Sequence, residues 1–321
     1  MIRDMSLEEL AMALDNELTQ AILSTSPKHE IPIVKEYLER IQKASKNVTF
    51  RVHTSSKKVY YLNIRTKLVH GGRPYALFSN GPCGKKKVEL GDILFVVKYL
   101  YPPFVAKYHY PLLPIEQMRV SFLQAKLTSS NAWKITAHQQ EFLTNARKYK
   151  FRFGKKWDSQ SHERKIDSKS DWIFTYLLMS TRNLPNLTAN PKIVELWRQN
   201  PCADYSFHVD FFVPSALFSQ KVPLFAGLVW DGKFVGGGYS LWSYKFLRKD
   251  GIGGYIINNG KTSNPELEDL VRAIYRFAKL TPDPPGEFDE YTGEGAFGVV
   301  EFTFAPSEEV MKLYKESREN M

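Results

Sequence analysis

Three polar residues interrupt apolar, strand-like segments in the first half of the chain. Asp92 follows Gly91 directly and opens the apolar segment 93–97, which is typical of a buried strand. Gln124 and Lys126 stand two residues apart in a second strand-like segment, so they share one face of that strand. Polar groups on such a strand are costly to bury without partners. If the two strands pair, the carboxylate, the amide and the ammonium converge.

These three groups suit hydrolysis of a phosphodiester bond. That reaction needs a hard cation near the phosphate, a positioned water and stabilisation of the developing charge. Magnesium takes oxygen ligands, keeps several waters and needs only one or two carboxylates. Each residue alone has a simpler interpretation: Asp92 as a turn cap, Gln124 as a surface residue of an edge strand, and Lys126 as a solvated strand end. Their combination within a basic segment favours the catalytic interpretation.

The elements that would position these residues can be predicted from periodicity and capping signals. Ser6 and Glu9 form a capping box ahead of an amphipathic helix over 6–23,. A second helix is predicted over 30–45, with Pro32 near its first turn,. Strands are predicted over 48–53, 59–64, 74–78, 90–100, 120–127 and 150–153, with a helix over 133–147,.

This order of elements, together with the Asp…Gln-x-Lys pattern, resembles the PD-(D/E)xK nuclease superfamily over about residues 28–155. The closer resemblance is to its Gln-x-Lys branch, which includes the Mrr-type restriction endonucleases. The fold that this implies is α/β (α+β overall), with a restriction-endonuclease-like mixed sheet flanked by helices and a C-terminal α+β extension or domain.

The resemblance also implies roles for individual residues. Asp92 would be the main ligand of Mg²⁺ or Mn²⁺, Gln124 would offer a neutral carbonyl oxygen, and the Ala125 backbone carbonyl would complete the protein ligands. Lys126 would orient or activate the attacking water, or stabilise the developing charge.

A further acid is expected from the helix before the sheet. Glu36 is the preferred candidate, and Glu30 and Glu39 are close competitors, because the facing of the helix cannot be fixed from sequence. Glu89, three residues before Asp92, is another candidate ligand. Gln139 and Gln140, in the predicted helix after Lys126, are supporting candidates by resemblance, although both could equally be surface residues.

The positive charge of the chain is concentrated in one segment. The net charge is +10, and residues 46–156 hold 21 Lys and Arg against four Asp and Glu. A field of one sign on this scale is the electrostatic footprint of nucleic-acid binding; a basic surface for an acidic protein or a membrane is the alternative. The candidate phosphate contacts are Lys85, Lys86, Lys87, Lys148, Lys150, Arg152, Lys155 and Lys156.

The polar segment 154–171 lacks apolar periodicity and is the best linker candidate,. It predicts a nuclease domain with an N-terminal helix over 1–157 and a C-terminal α+β domain over 158–321, with a role in partner binding or regulation. The spelling Gly293-x-Gly295-x-x-Gly298 leads into a predicted strand over 299–304. It is therefore interpreted as a glycine turn, because a dinucleotide fingerprint opens a helix.

The sequence therefore predicts a Mg²⁺-dependent endonuclease that acts on DNA ahead of RNA. By resemblance it would serve in restriction or anti-phage defence, as the effector subunit of a larger complex, and could act as a homodimer. The alternative is a non-catalytic nucleic-acid-binding or assembly subunit in which the nuclease site has decayed; a third hypothesis is a module that binds an acidic protein. Two cysteines and no apolar leader or transmembrane segment predict a cytoplasmic protein without a membrane partner.

Overall fold

The structure is a computed structural model of the chain. It describes residues 1–25, 30–70, 74–78, 86–102, 115–128, 132–136, 139, 147–153, 156–157, 164–166, 173–180, 192–193, 205–210, 224–230, 233–278 and 296–319.

Five helices are described: α1 (Leu7–Ser24), α2 (Ile31–Ser45), α3 (Tyr239–Leu247), α4 (Pro265–Phe277) and α5 (Glu308–Glu319). The strands of the N-terminal half are β1 (Ile2–Ser6), β2 (Thr49–His53), β3 (Val59–His70), β4 (Pro74–Phe78), β5 (Lys86–Glu89), β6 (Ile93–Leu100), β7 (Ile115–Thr128), β8 (Ala132–Ile135), β9 (Arg147–Phe153) and β10 (Lys156–Trp157). Those of the C-terminal half are β11 (Arg164–Ile166), β12 (Phe174–Ser180), β13 (Lys192–Ile193), β14 (Tyr205–Asp210), β15 (Leu224–Trp230), β16 (Lys233–Gly238), β17 (Gly254–Asn258), β18 (Lys261–Thr262) and β19 (Ala296–Ala305).

A mixed sheet of 11 strands organises the molecule. Its order is β1-β2-β3-β19-β6-β7-β12-β15-β16, and β17 pairs with both β7 and β18. β19 runs parallel to β6 and antiparallel to β3, and β12 runs parallel to β7. All eight residues of β6 are buried, as expected for a continuous apolar strand covered on both faces. The fold is therefore mixed α/β, with a large sheet flanked by helices.

Helices cover both faces of this sheet. On one face, apolar residues of α1, α2 and α3 pack against alternate residues of β6 and β7, including Ile93, Phe95, Leu123 and Ala125. On the other face, α4 packs against the intervening residues of the same strands, such as Leu94 and Phe122. Burial on both faces fixes the register of the central strands, because a shift by one residue would exchange the two faces.

Two smaller sheets accompany the main one. The first has the order β10-β9-β4-β5, with β11 also paired to β9. Ala76 of β4 and Val88 of β5 are buried in the same core as α4, so this small sheet packs on that side of the main sheet. The second sheet has the order β13-β14-β8.

Several predicted elements are confirmed. α1 begins after Ser6 with the capping box, in which Glu9 N donates to Ser6 Oγ and Ser6 N donates to the Glu9 carboxylate. α2 begins with Pro32 in its first turn. β3 and β7 are longer than predicted, because charged residues such as Arg65 occupy positions that interrupt the apolar alternation.

Other predicted elements are wrong. Residues 133–135, predicted as helical, belong to β8, and Lys86–Lys87, which lie outside the predicted strands, belong to β5. The linker candidate 154–171 contains β10 and β11, which pair with β9. α3 lies in a segment for which no helix was predicted. In each case cross-strand or helix–sheet contacts outweigh the local pattern.

Residues from both sides of the predicted boundary at 157/158 share the main sheet. β19 lies between β3 and β6, and β12 lies beside β7, so the ranges 1–157 and 158–321 do not correspond to separate sheets. The strand predicted after Gly298 is confirmed as part of β19. Within the described residues, no helix combines the length and the apolar character needed to cross a membrane.

Candidate functional site

The backbone of Asp92 is fixed by the two strands on either side of β6. Asp92 N donates to Leu123 O of β7 at 2.8 Å, and Asp92 O accepts from Gly298 N of β19 at 2.8 Å. Gly91 allows the close approach: a Cβ added there would lie 3.1 Å from Leu123 O and 3.3 Å from Phe122 Cβ. The carboxylate is thus held at the start of the most buried strand, as the sequence predicted.

The Asp92 carboxylate and the Gln124 amide meet in the core. Both side chains are buried, with exposed fractions of 3% and 4%. Gln124 Nε2 donates to Asp92 Oδ2 at 2.6 Å, and Ala125 N donates to the same oxygen at 2.8 Å. Hydrogen bonds to a carboxylate are among the stronger ones in proteins, so they hold Asp92 against β7.

The oxygen of the Gln124 amide, Oε1, is buried and has no hydrogen-bond partner in the part of the chain that the structure describes. A buried acceptor without a partner costs about 1–3 kcal/mol. Such an atom calls for an explanation, and a bound ion or water is one of the standard ones. An amide oxygen is also a ligand type that magnesium accepts.

A second carboxylate reaches the same edge of β7. The β6–β7 pairing begins at Ile93 and Leu123, so no described strand pairs with the backbone of β7 beyond Leu123 on that side. There, Ala125 N donates to Asp92, and Leu127 N donates to Glu30 Oε1 at 3.0 Å. Two carboxylates thus occupy successive backbone positions of one strand edge.

Glu30 reaches β7 because of its place at the start of α2. It is the N-cap residue of α2 but makes no side-chain capping bond. Its carboxylate bonds to Leu127 N instead. Within an extended strand, the N–H and C=O of one residue point to the same side. The Ala125 carbonyl therefore points toward the edge that Asp92 and Glu30 occupy.

The acid preferred from sequence, Glu36, is not in this cluster. Glu36 Oε1 and Arg40 Nε form an ion pair at 2.7 Å one turn along α2, and Glu39 lies 3.8 Å from Lys35 on the exposed side of the helix. Glu89 lies at the end of β5, where it accepts a hydrogen bond from Tyr75 OH at 3.4 Å. Glu30, a close competitor in the prediction, contacts the strand of Gln124 and Lys126 through Leu127 N.

Lys126 follows Gln124 on the same face of β7 and is half-buried. Among the described residues, no hydrogen bond or ion pair is formed by its ammonium group. Gln139 is buried, while Gln140 lies outside the described residues.

The described residues contain no group of three or more His, Cys, Asp and Glu side chains arranged to hold a metal ion. A cation at Asp92 would instead use an unusual donor set of one carboxylate, one amide oxygen and one backbone carbonyl, with Glu30 as the second acid. Magnesium retains several of its waters, so this number of protein oxygens fits it.

The strand register of the small sheet places the candidate phosphate contacts on its two faces. Lys87, Lys148, Lys150 and Arg152 fall on one face of it. Lys86 and Lys156 fall on the other face, while Lys85 and Lys155 lie outside the described residues.

Comparison with known proteins adds no relative. No family model matches the chain, and no curated protein or solved structure matches it.

Sequence reasoning missed a second buried polar cluster. Glu301 of β19 accepts from Lys98 Nζ of β6 at 2.6 Å, from Tyr275 OH at 2.6 Å and from Tyr314 OH at 3.1 Å. Lys98 and Glu301 are single charges inside apolar strand segments, which is the signal that could have paired them. The cluster ties β6 and β19 to α4 and α5.

Proposed function

We propose that this chain is a metal-dependent endonuclease that hydrolyses phosphodiester bonds of DNA. The observation that carries the proposal is the edge of β7 beyond the start of β6. Asp92 and Glu30 bond to successive backbone N–H groups of that edge, and the buried Gln124 Oε1 beside them has no partner among the described residues. Oxygen atoms of the two acids and of the Gln124 amide therefore lie around the end of one strand pairing.

Asp92, Gln124 Oε1 and the Ala125 carbonyl would hold Mg²⁺ or Mn²⁺, with Glu30 close by. When bound, the cation would polarise the phosphate and activate a water. The chain itself supplies orientation: the bonds from Ala125 N and Gln124 Nε2 fix the Asp92 carboxylate. A ligand held by neighbours in this way loses little freedom when a metal binds.

Lys126 would act on the phosphate or the water rather than on the fold. It lies on the same face of β7 as Gln124 and is only half-buried. An ammonium in that position stabilises negative charge that develops on the phosphate oxygens. In the alternative role, it would orient the attacking water or move its proton.

The proposal is tested by cleavage of supercoiled plasmid with Mg²⁺ or Mn²⁺, with and without a chelator. The wild type is compared with Asp92→Asn and with Asp4→Asn, an exposed aspartate of β1 that pairs with Arg51. Cleavage by the wild type and by Asp4→Asn, lost in chelator and in Asp92→Asn, supports the proposal. Cleavage that survives the chelator or Asp92→Asn contradicts it. Melting curves of all three proteins exclude loss of fold as the cause.

A second candidate function is non-catalytic binding of nucleic acid by a decayed nuclease fold. The observation that favours it is the Asp92 carboxylate, which already accepts two protein hydrogen bonds at Oδ2. Under this candidate, the wild type binds DNA but releases no product with either metal.

The biological setting follows from the resemblance alone. It would be restriction or anti-phage defence, with this chain as the effector subunit of a complex or as a homodimer, and DNA as the substrate ahead of RNA. The basic segment 46–156 supports a polyanionic substrate in either arrangement.

A further inference from the structure

One face of the small sheet is strongly basic. Alternate residues of a strand share a face, and so do residues directly opposite each other on antiparallel strands. The pairings of β9 with β4, β10 and β11, and of β4 with β5, therefore place nine residues on one face. We call this the basic face, and its members are Tyr75, Leu77, Lys87, Glu89, Lys148, Lys150, Arg152, Trp157 and Lys165.

The basic face has five cationic residues and one acid, and it is the face directed away from the core. Ala76 and Val88, on the opposite face, are buried among residues of the core that includes α4. Of the basic-face residues whose side chains are described, Lys87 is exposed and Lys150 is partly exposed. A protein surface normally mixes both signs of charge, so this imbalance points to a polyanionic ligand.

The residues of the basic face form rows across the sheet. One row holds Lys165 and Lys148, the next holds Lys150, Leu77 and Lys87, and the third holds Trp157, Arg152, Tyr75 and Glu89. Successive rows are about 7 Å apart, and neighbouring strands are about 4.8 Å apart. Cationic residues at backbone positions with this spacing match a repeating backbone of phosphates better than they match one compact anion.

Aromatic residues accompany the cations. Lys87 Nζ lies 3.9 Å from the centre of the Tyr75 ring, an arrangement that holds the ammonium in place on the surface. Trp157 occupies the same row as Tyr75. Cations interleaved with aromatic residues are typical of surfaces that bind nucleic-acid strands.

The basic face ends beside the candidate site. Glu89 lies in its third row and is followed by Leu90, Gly91 and Asp92. Three residues span at most about 11 Å, so the third row lies close to the Asp92 carboxylate. A nucleic-acid strand that crosses the rows toward Glu89 therefore ends within three residues of Asp92.

We infer that the basic face binds the phosphodiester backbone of a nucleic acid and guides it to Asp92. The inference rests on the proposed function for the destination of the strand, but binding itself needs no catalysis. It adds Lys165, from the segment expected to be a linker, to the residues that contact phosphate.

The test measures binding without cleavage. A fluorescent 20-base-pair duplex, its single strand and an RNA strand of the same sequence are titrated in chelator, with anisotropy as the readout. The double variant Lys87→Glu/Lys150→Glu is compared with Lys58→Glu/Lys312→Glu. The control makes the same charge change at exposed residues of the β2–β3 turn and of α5.

The expected result is a loss of affinity of about tenfold or more in the basic-face variant, with the dependence of log affinity on log salt reduced by about two. The control should keep the affinity of the wild type. Melting curves and Lys87→Gln/Lys150→Gln, which removes charge without reversing it, separate lost binding from lost fold. The three probes report which nucleic acid the face accepts.

Unchanged binding by both basic-face variants overturns the inference, and so does an equal loss in the control. Binding of a labelled polyglutamate peptide by a protein that does not bind DNA also overturns it, because the partner would then be an acidic protein. Binding that depends on the basic face without any cleavage by the wild type leaves the inference standing and refutes the proposed activity. If the wild type cleaves DNA in a chelator-sensitive way and the basic-face variants bind DNA as tightly as the wild type, the proposed activity stands and the inference is refuted.

Discussion

At the scale of single residues, the site depends on which groups accept hydrogen bonds from the backbone N–H groups at the edge of β7. Ala125 N and Leu127 N point to the side on which no described strand pairs with β7, and each donates to a carboxylate. The carboxylates are thereby placed next to each other by the backbone. This explains how residues 62 positions apart in sequence, Glu30 and Asp92, come to serve one location.

The first prediction concerns the two acids of α2. Glu30→Gln should reduce metal-dependent plasmid cleavage by about tenfold or more, because the second carboxylate near the cation is lost. Glu36→Gln should keep most of the activity, because its carboxylate pairs with Arg40 instead. Cleavage rates of the two purified variants at equal metal concentration make the comparison; a larger loss in Glu36→Gln would contradict the placement.

The second prediction concerns the buried charge of Glu301. Glu301→Gln leaves the Lys98 ammonium buried without its anion, and breaking a buried pair costs about 3–5 kcal/mol. The free energy of unfolding, measured by urea denaturation, should fall by that order. Glu316→Gln removes an exposed partner of Lys312 on α5 and should change it by less than about 1 kcal/mol. Equal stability of Glu301→Gln and the wild type would show that the cluster does not support the fold.

The sequence predicts the central residues of the site better than the peripheral ones. Asp92 and Gln124 are recognisable because each is a polar residue within an apolar strand pattern, and strand pairing brings them together. Whether Glu30 or Glu36 reaches β7 depends on the position and rotation of α2 relative to the sheet, and tertiary packing decides both. Gly91 is needed because the backbone of β7 approaches it closely: an added Cβ would lie 3.1 Å from Leu123 O.

At the scale of elements, the helices hold the sheet through a few polar contacts as well as apolar packing. Tyr37 of α2 and Tyr239 of α3 share a hydrogen bond of 2.8 Å in the core. Arg119 of β7 donates to the Arg248 and Ile252 carbonyls at the end of α3, where a cation favours the helix dipole. α3 is thus fixed at both ends, although its aromatic sequence did not predict a helix.

The third prediction concerns the contact of α1 with α3. Burial raises the pKa of Asp15 of α1, and hydrogen bonds to Ser240 of α3 act in the opposite direction. A carboxyl whose pKa is higher in the folded state stabilises the fold at low pH, and this contribution is lost as the pH rises through the raised pKa. Asp15→Asn should therefore have a higher urea midpoint than the wild type at neutral pH.

The increase in urea midpoint caused by Asp15→Asn should become smaller as the pH falls toward 3.8, the ordinary pKa of the Asp15 carboxyl. Urea denaturation at several pH values between about 4 and 7 measures the difference. A variant that is less stable than the wild type at neutral pH would mean that the hydrogen bonds to Ser240 outweigh the burial of the charge.

At the scale of the whole molecule, both halves of the sequence build one sheet. The insertion of β19 between β3 and β6 could not be predicted from local patterns, because it depends on a pairing between residues more than 200 positions apart. The polar segment 154–171 suggested a boundary by composition, but parts of it pair with β9. Strand existence was largely predictable, whereas strand order was not.

The fourth prediction follows from this shared sheet. A fragment of residues 1–157 lacks β12 and β19, so it exposes unpaired edges of β3, β6 and β7. Exposed edges of buried strands promote aggregation. The fragment should be insoluble or lack cooperative unfolding, whereas the full chain should unfold cooperatively. A soluble fragment with a sharp thermal transition would instead support an independent domain.

The most direct test of the central claim is the plasmid-cleavage rate of Lys126→Ala beside the wild type, with DNA affinity measured on the same preparations. Lys126 is half-buried and makes no ion pair among the described residues, so its removal should leave the fold intact. The account predicts Mg²⁺-dependent cleavage that falls by about 100-fold in the variant, with DNA affinity changed by less than about threefold. Equal cleavage rates in the two proteins would contradict it.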